Sequence, residues 1–109
     1  YGNSYPIGQC TWGVKEMAPW ASNWWGNANT WAINAGAQGY ATGNVPVAGA
    51  IAVWDGGEYG HVAYVTDVQS DSSIQVLEAN YNRQKQINNY RGYFNPNEFM
   101  GGVTYIYPN

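Results

Sequence analysis

An α+β fold, with short N-terminal helices packed on an antiparallel sheet of about five to six strands, follows from three features of this 109-residue chain. Helical texture is confined to the stretch before about residue 45, and strand-like texture to the stretch after it. Turn-forming residues separate the strand candidates at short intervals. Helices that precede a run of hairpin-linked strands bury their apolar stripes on one face of the resulting sheet.

Each element has a local cause. Residues 9–18 suit a helix that Pro19 stops, because proline lacks the N–H a helix uses and disfavours helical geometry in the residue before it. Residues 20–29 are too rich in Asn, Gly and Trp for a regular element. Asn29 or Thr30 can N-cap a second helix through Ala37, with Gly39 beyond its end. After a loop at 42–46, residues 49–54 read as a strand, 55–60 as a glycine-rich turn and 61–68 as the returning strand. Residues 69–72 form a turn by composition, 74–81 a third strand, and 91–94 and 103–107 two further short ones.

Composition narrows the function. Hydrophobic residues make up 45% of the chain and charged residues only 10%, which describes one folded domain with a real core. The six Trp, ten Tyr and two Phe suit a protein that meets sugars or peptides. A net charge of −3, with Lys15, Arg83, Lys85 and Arg91 as the fixed cations, gives no footprint for a phosphate backbone, so nucleic acid is not an expected partner. The cations between 83 and 91 read as a solvated connection. No stretch approaches the about 20 apolar residues of a membrane span. The chain begins at Tyr1 without a leader, and is read as a single domain, 1–109, excised from a longer protein.

Cys10 is the single cysteine and His61 the single histidine. One thiol cannot form an internal disulfide, and one Cys with one His supplies too few ligands for zinc. The competing readings of Cys10 are an inert core residue and a nucleophile. A thiol reacts as its thiolate, which a helix N-terminus and a neighbouring imidazolium both favour, and Cys10 falls at a helix start. The N–H of Cys10 and the side-chain amide of Gln9 are candidate donors to an oxyanion. His61 opens a strand behind a glycine-rich turn, where its ring can be reached.

Glu78 and Asn80 are two apart on one strand and so face the same way. If strands 61–68 and 74–81 pair through the loop 69–72, Val68 opposes Ser73, and His61 opposes Asn80 with Glu78 diagonal to it. His61, Glu78 and Asn80 then share a face with Ala63, Val65, Ile74 and Val76. Either polar side chain can orient the imidazole, and a register slip of one residue would send both to the opposite face.

Four segments now carry a specific resemblance: Tyr5-Pro6-Ile7-Gly8-Gln9-Cys10-Thr11-Trp12-Gly13, Gly49-Ala50-Ile51-Ala52-Val53-Trp54, Tyr59-Gly60-His61-Val62-Ala63 and Glu78-Ala79-Asn80-Tyr81. In this order they resemble the signatures of the CHAP family, the cysteine, histidine-dependent amidohydrolases/peptidases. Asn23-Trp24-Trp25-Gly26-Asn27 and Arg91-Gly92-Tyr93-Phe94 are similar to segments of CHAP domains in secreted streptococcal cell-wall hydrolases involved in cell separation.

The resemblance implies a papain-like fold, with Cys10 as nucleophile, His61 as general base and then acid, Glu78 as orienting group and Asn80 as an auxiliary. It implies bacterial peptidoglycan as substrate, cut as an N-acetylmuramoyl-L-alanine amidase or as a stem-peptide or cross-bridge endopeptidase. The location implied is secreted and wall-associated, with a flanking targeting or regulatory domain. Some CHAP domains bind calcium through acidic residues ahead of the cysteine. Residues 1–9 contain no carboxylate, so neither metal nor cofactor is expected.

Trp24, Trp25, Trp54 and Tyr59 are the aromatics expected to line the cleft, since ring faces suit flat amides and sugars. The alternatives to a thiol hydrolase are a catalytically silent, aromatic-rich wall-binding module, and an amidase for a small soluble amide.

Overall fold

The structure, a computed structural model, describes residues 2–108. Two helices, α1 (Cys10–Met17) and α2 (Trp31–Ala37), precede five strands: β1 (Thr42–Gly43), β2 (Ile51–Trp54), β3 (His61–Ser70), β4 (Ser73–Leu77) and β5 (Val103–Ile106). The strands form one antiparallel sheet in the order β1-β5-β2-β3-β4. Single 3₁₀ turns lie at Ala28–Thr30 and Pro96–Glu98. Among the described residues, no helix is long and apolar enough to cross a membrane.

The sheet is buried on both faces. On one, Ile51, Val53, Val62 and Ile106 pack with Val14, Ala18, Trp25, Trp31 and Ala35 from the helical half. On the other, Ala52, Trp54, Ala63, Val65, Ile74, Val76 and Tyr105 are covered by Phe94, Phe99 and Met100. This second cover is a loop with the single 3₁₀ turn at Pro96–Glu98, held in part by the Trp54 Nε1–H, which donates to the Pro96 carbonyl at 2.8 Å. The expected strand at 91–94 does not form. Phe94 alone bridges to Ile74, because the chain is spent on placing side chains over the sheet instead of extending it.

The β3–β4 register differs from expectation at the turn and agrees with it further in. Val68 pairs with Ile74 instead of Ser73, and the strands meet at Ser70 and Ser73, a tighter turn than 69–72. Two irregularities, between Val65 and Asp67 and between Val68 and Ser70, each add a residue to β3. They restore the expected pairing of Val65 with Val76. β4 then ends at Leu77, short of the expected 81.

Gly60 sets the entry to β3. Its φ is +74°, and a Cβ there would stand 2.6 Å from both the Asn29 nitrogen and the Trp54 oxygen. Gly36, inside α2, meets nothing within 4 Å. The two sites therefore respond oppositely to alanine. In urea unfolding, Gly60→Ala is expected to lower stability by about 2 kcal/mol or more through backbone strain. Gly36→Ala is expected to raise it by about 0.5–1 kcal/mol through helix propensity.

Candidate active site

Cys10 opens α1, and Gln9, extended at φ −78° and ψ 159°, is its N-cap residue. The Cys10 N–H is therefore one of the first-turn donors that have no acceptor inside the helix. One turn along, on the same helix face, a Cβ on Gly13 would lie 2.9 Å from the Ala79 Cβ. Glycine at this position lets α1 approach the Glu78-Ala79-Asn80 segment closely enough to present Cys10 to it.

His61 opens β3 opposite Trp54 and is buried. Its ring tilts over Trp54 at 5.8 Å and meets Phe99 edge to face at 5.6 Å, which holds the imidazole in one orientation. Cys10 and His61 line one cleft of about 930 Å³, together with Tyr5, Gln9, Tyr59 and Asn80.

Glu78 has no exposed surface. Its Oε1 lies 2.8 Å from His61 Nε2 and accepts from Arg91 Nη2 at 2.6 Å, while its Oε2 accepts from Arg91 Nε at 2.8 Å. The fork of the guanidinium thus grips both carboxylate oxygens. The Arg91 guanidinium carbon is 3.9 Å from the Phe94 ring centre, 4.0 Å from that of Phe99, 4.5 Å from Tyr81 and 5.4 Å from Trp54. Four aromatic faces replace the water that the cation gives up.

These contacts decide the charge states. Burial pushes the Glu78 pKa up, but hydrogen bonds and charge from His61 and Arg91 outweigh it and hold the carboxyl below its ordinary value. Burial pulls the His61 pKa down, but hydrogen bonds and charge from Cys10 and Glu78 outweigh that and raise it. Because Glu78 engages Nε2, Nδ1 is the ring nitrogen left for the thiol. Among the described residues, no three His, Cys, Asp or Glu side chains are grouped so as to hold a metal ion.

Glu78 and Asn80 take different duties. Beyond Leu77, Glu78 bridges to Asn88, and Asn80 turns out of the ladder at φ 56°. Asn80 therefore does not sit opposite His61; its Nδ2 donates to Gln9 Oε1 at 3.0 Å.

The expected aromatic wall is also rearranged. Trp25 and Trp54 are fully buried and packed into the two cores, where a large apolar ring releases most water. Trp24 is 85% exposed but lies outside the cleft lining, whereas Tyr59, 60% exposed, is part of it. Tyr5 and Tyr81, which stand at the ends of two of the matched segments but were given no role, line the cleft together with Phe99 and Met100, which the sequence did not single out.

Arg91 corrects the view of residues 83–91 as a solvated connection, since its side chain is 8% exposed. A signal for it was present. It opens the segment Arg91-Gly92-Tyr93-Phe94 that carried part of the resemblance, and a buried carboxylate requires a cation among only four.

The fold and this constellation define a cysteine–histidine–carboxylate site at a helix start and a strand end. The CHAP domain family model matches residues 1–80, and the chain belongs to that family. It is 58% identical over 109 residues to a Streptococcus mutans serotype c protein provisionally named a hydrolase, covering 98% of this chain and 52% of that one. It is 44% identical over 93 residues to the N-acetylmuramoyl-L-alanine amidase sle1 of Staphylococcus aureus, covering 82% of this chain and 28% of the amidase.

A crystal structure of an N-acetylmuramoyl-L-alanine amidase from S. aureus superposes with a TM-score of 0.84 at 30% identity, covering 100% of this chain and 33% of that chain. The chain thus spans about half the length of the streptococcal relative and about a third or less of the staphylococcal ones.

Removing Arg91 leaves Glu78 buried with one partner. Arg91→Met is expected to cost about 3–5 kcal/mol in urea unfolding at neutral pH, the usual penalty for half of a buried pair. Arg91→Lys recovers only part of this, because an ammonium can neither fork nor stack. The sign of the acid effect follows from the lowered Glu78 pKa. The stabilisation is fully present above the ordinary value of 4.5 and is lost as pH falls through the depressed folded value. Arg91→Met should therefore move the acid-unfolding midpoint, followed by circular dichroism, to higher pH.

Proposed function

We propose that this domain hydrolyses an amide bond of bacterial peptidoglycan, with Cys10 as nucleophile, His61 as proton carrier and Glu78 as its orienting partner. The observation that carries the reading is the pairing of Cys10 with an imidazole whose far nitrogen is 2.8 Å from a fully buried carboxylate, at the wall of an open cleft. A carboxylate in that place fixes ring orientation and tautomer and favours the imidazolium that the reaction forms.

The steps follow. His61 takes the thiol proton, Cys10 Sγ bonds to the carbonyl carbon, and the Cys10 N–H and Gln9 side-chain amide donate to the oxygen that becomes negative. Collapse breaks the C–N bond, and the amine leaves with the proton that His61 returns. Water, deprotonated by His61, then releases the acyl group and restores the thiol.

Apart from Cys10, His61 and Met100, the cleft is lined by small, amide and aromatic side chains, with no carboxylate or fixed cation among the described residues. Such a lining suits neutral amides and sugars. Tyr59 offers an exposed ring on the lining, and Trp24 stands beside Asn23, which also lines it.

The amidase names of the staphylococcal relatives favour the bond between the muramoyl lactyl group and L-alanine. Another relative, 48% identical over 81 residues, covering 73% of this chain and 32% of that one, is the staphylococcal secretory antigen SsaA of Staphylococcus epidermidis, which supports a secreted, wall-associated location. The greater length of all these relatives supports a flanking region that directs the domain to its substrate.

With purified peptidoglycan, Cys10→Ala is expected to lower the rate of solubilisation by about a thousandfold or more, as loss of a catalytic nucleophile does. One equivalent of iodoacetamide should do the same. Full clearance by Cys10→Ala would point to a different nucleophile, whereas wall binding without any clearance by the unsubstituted domain would favour a silent wall-binding module. Mass spectrometry of the released fragments identifies the bond: new L-alanine N-termini mark an amidase, and cuts within the peptide mark an endopeptidase.

A further inference from the structure

We propose that Lys85 is a positioning residue for the oxyanion site: acting through Asn80, it fixes which end of the Gln9 amide faces the cleft. This rests on the thiol mechanism above. Lys85 Nζ donates to Asn80 Oδ1 at 2.9 Å, and Asn80 Nδ2 donates to Gln9 Oε1 at 3.0 Å.

The chain of contacts has a direction because an ammonium group can only donate. Lys85 draws the Asn80 oxygen toward itself, which turns the Asn80 NH₂ toward Gln9. Gln9 must then offer its oxygen to Asn80, and its own NH₂ is left for the cleft. Two amides alone have no such preference. With both flipped they bond to each other equally well, and Gln9 would present a carbonyl oxygen where negative charge has to be stabilised.

The backbone is built to hold Lys85 in place. Tyr81 and Gln84 exchange N–H···O bonds of 3.2 and 3.0 Å around Asn82 and Arg83, whose φ values are 50° and 67°. This is a two-residue turn with both central residues in the left-handed region, and neither is glycine. Asn80, at φ 56°, precedes it. Three such residues so close together mark a segment whose surroundings over-determine it.

The lysine stem is also packed. A Cβ on Gly8 would lie 3.0 Å from Lys85 Cβ, 3.3 Å from Cδ and 3.4 Å from Cγ, so the stem rests on the residue preceding Gln9. An exposed lysine ordinarily adds little stability. Here its contribution is a choice between two amide orientations.

Steady-state turnover of a soluble muramoyl-peptide amide, with the rate of Cys10 alkylation by iodoacetamide as a second readout, tests the proposal. Lys85→Met keeps the stem and removes the donors. It is expected to lower kcat about fivefold at unchanged KM and unchanged alkylation rate, a fraction of the effect of losing an oxyanion donor outright. Lys85→Arg should restore turnover. Asn80→Asp should be slower than Lys85→Met, because a carboxylate accepts from both Lys85 and the Gln9 NH₂ and pulls that NH₂ out of the cleft. Combining Lys85→Met with Gln9→Ala should be no slower than Gln9→Ala alone.

Wild-type turnover by Lys85→Met, or an equal loss in the Gln9→Ala background, overturns the relay while leaving the thiol mechanism standing. Turnover by Cys10→Ala equal to wild type overturns the mechanism and the relay with it.

Discussion

A carboxylate with no exposed surface constrains the whole second half of this domain. An isolated buried charge is unaffordable, and Glu78 exists as an anion only because His61 and Arg91 grip it. Arg91 has in turn left water, and its guanidinium is accepted by the rings of Phe94, Phe99, Tyr81 and Trp54. Those rings, apart from Tyr81, also belong to the core on the sheet face away from the helices. The irregular segment that follows β4 is therefore not filler. It delivers the cation and the aromatic cage that let a charged group stand behind the imidazole.

Two polar arms lead from one stretch of chain to the residues around the thiol. On one, Glu78 sets the orientation and charge of His61; on the other, Asn80 reaches the Gln9 amide at the helix start. Both originate in the same short stretch after β4, where Ala79 packs directly on Gly13 of α1. The strand end is thus the point at which sheet and helix are locked together. That placement keeps Cys10, His61 and Gln9 in fixed relation.

Much of this was legible in the sequence, and the reasons differ by element. Pro19 and the glycine-rich turn at 55–60 bounded α1 and the β2–β3 hairpin, so Cys10 and His61 could be assigned to a helix start and a strand start. Strand alternation placed Glu78 on the His61 face, although the pairing came out right only because two bulges in β3 compensated for a tighter turn. Asn80 was misassigned because a non-glycine residue at positive φ leaves no mark in a periodic pattern. Trp25 and Trp54 were misread as cleft residues because composition counts aromatic rings without saying which are enclosed. Arg91 lay in a stretch with no periodicity, and its burial depends on partners from three separate segments.

The electrostatic coupling of Cys10, His61 and Glu78 is the central claim, and His61 being the single histidine makes it directly measurable. Nitrogen-15 NMR titration of the His61 ring should give a midpoint above the ordinary 6.5, and this midpoint should fall in both Cys10→Ala and Glu78→Gln, each of which removes a partner that raises it. A midpoint at or below 6.5 that neither substitution moves would contradict the account.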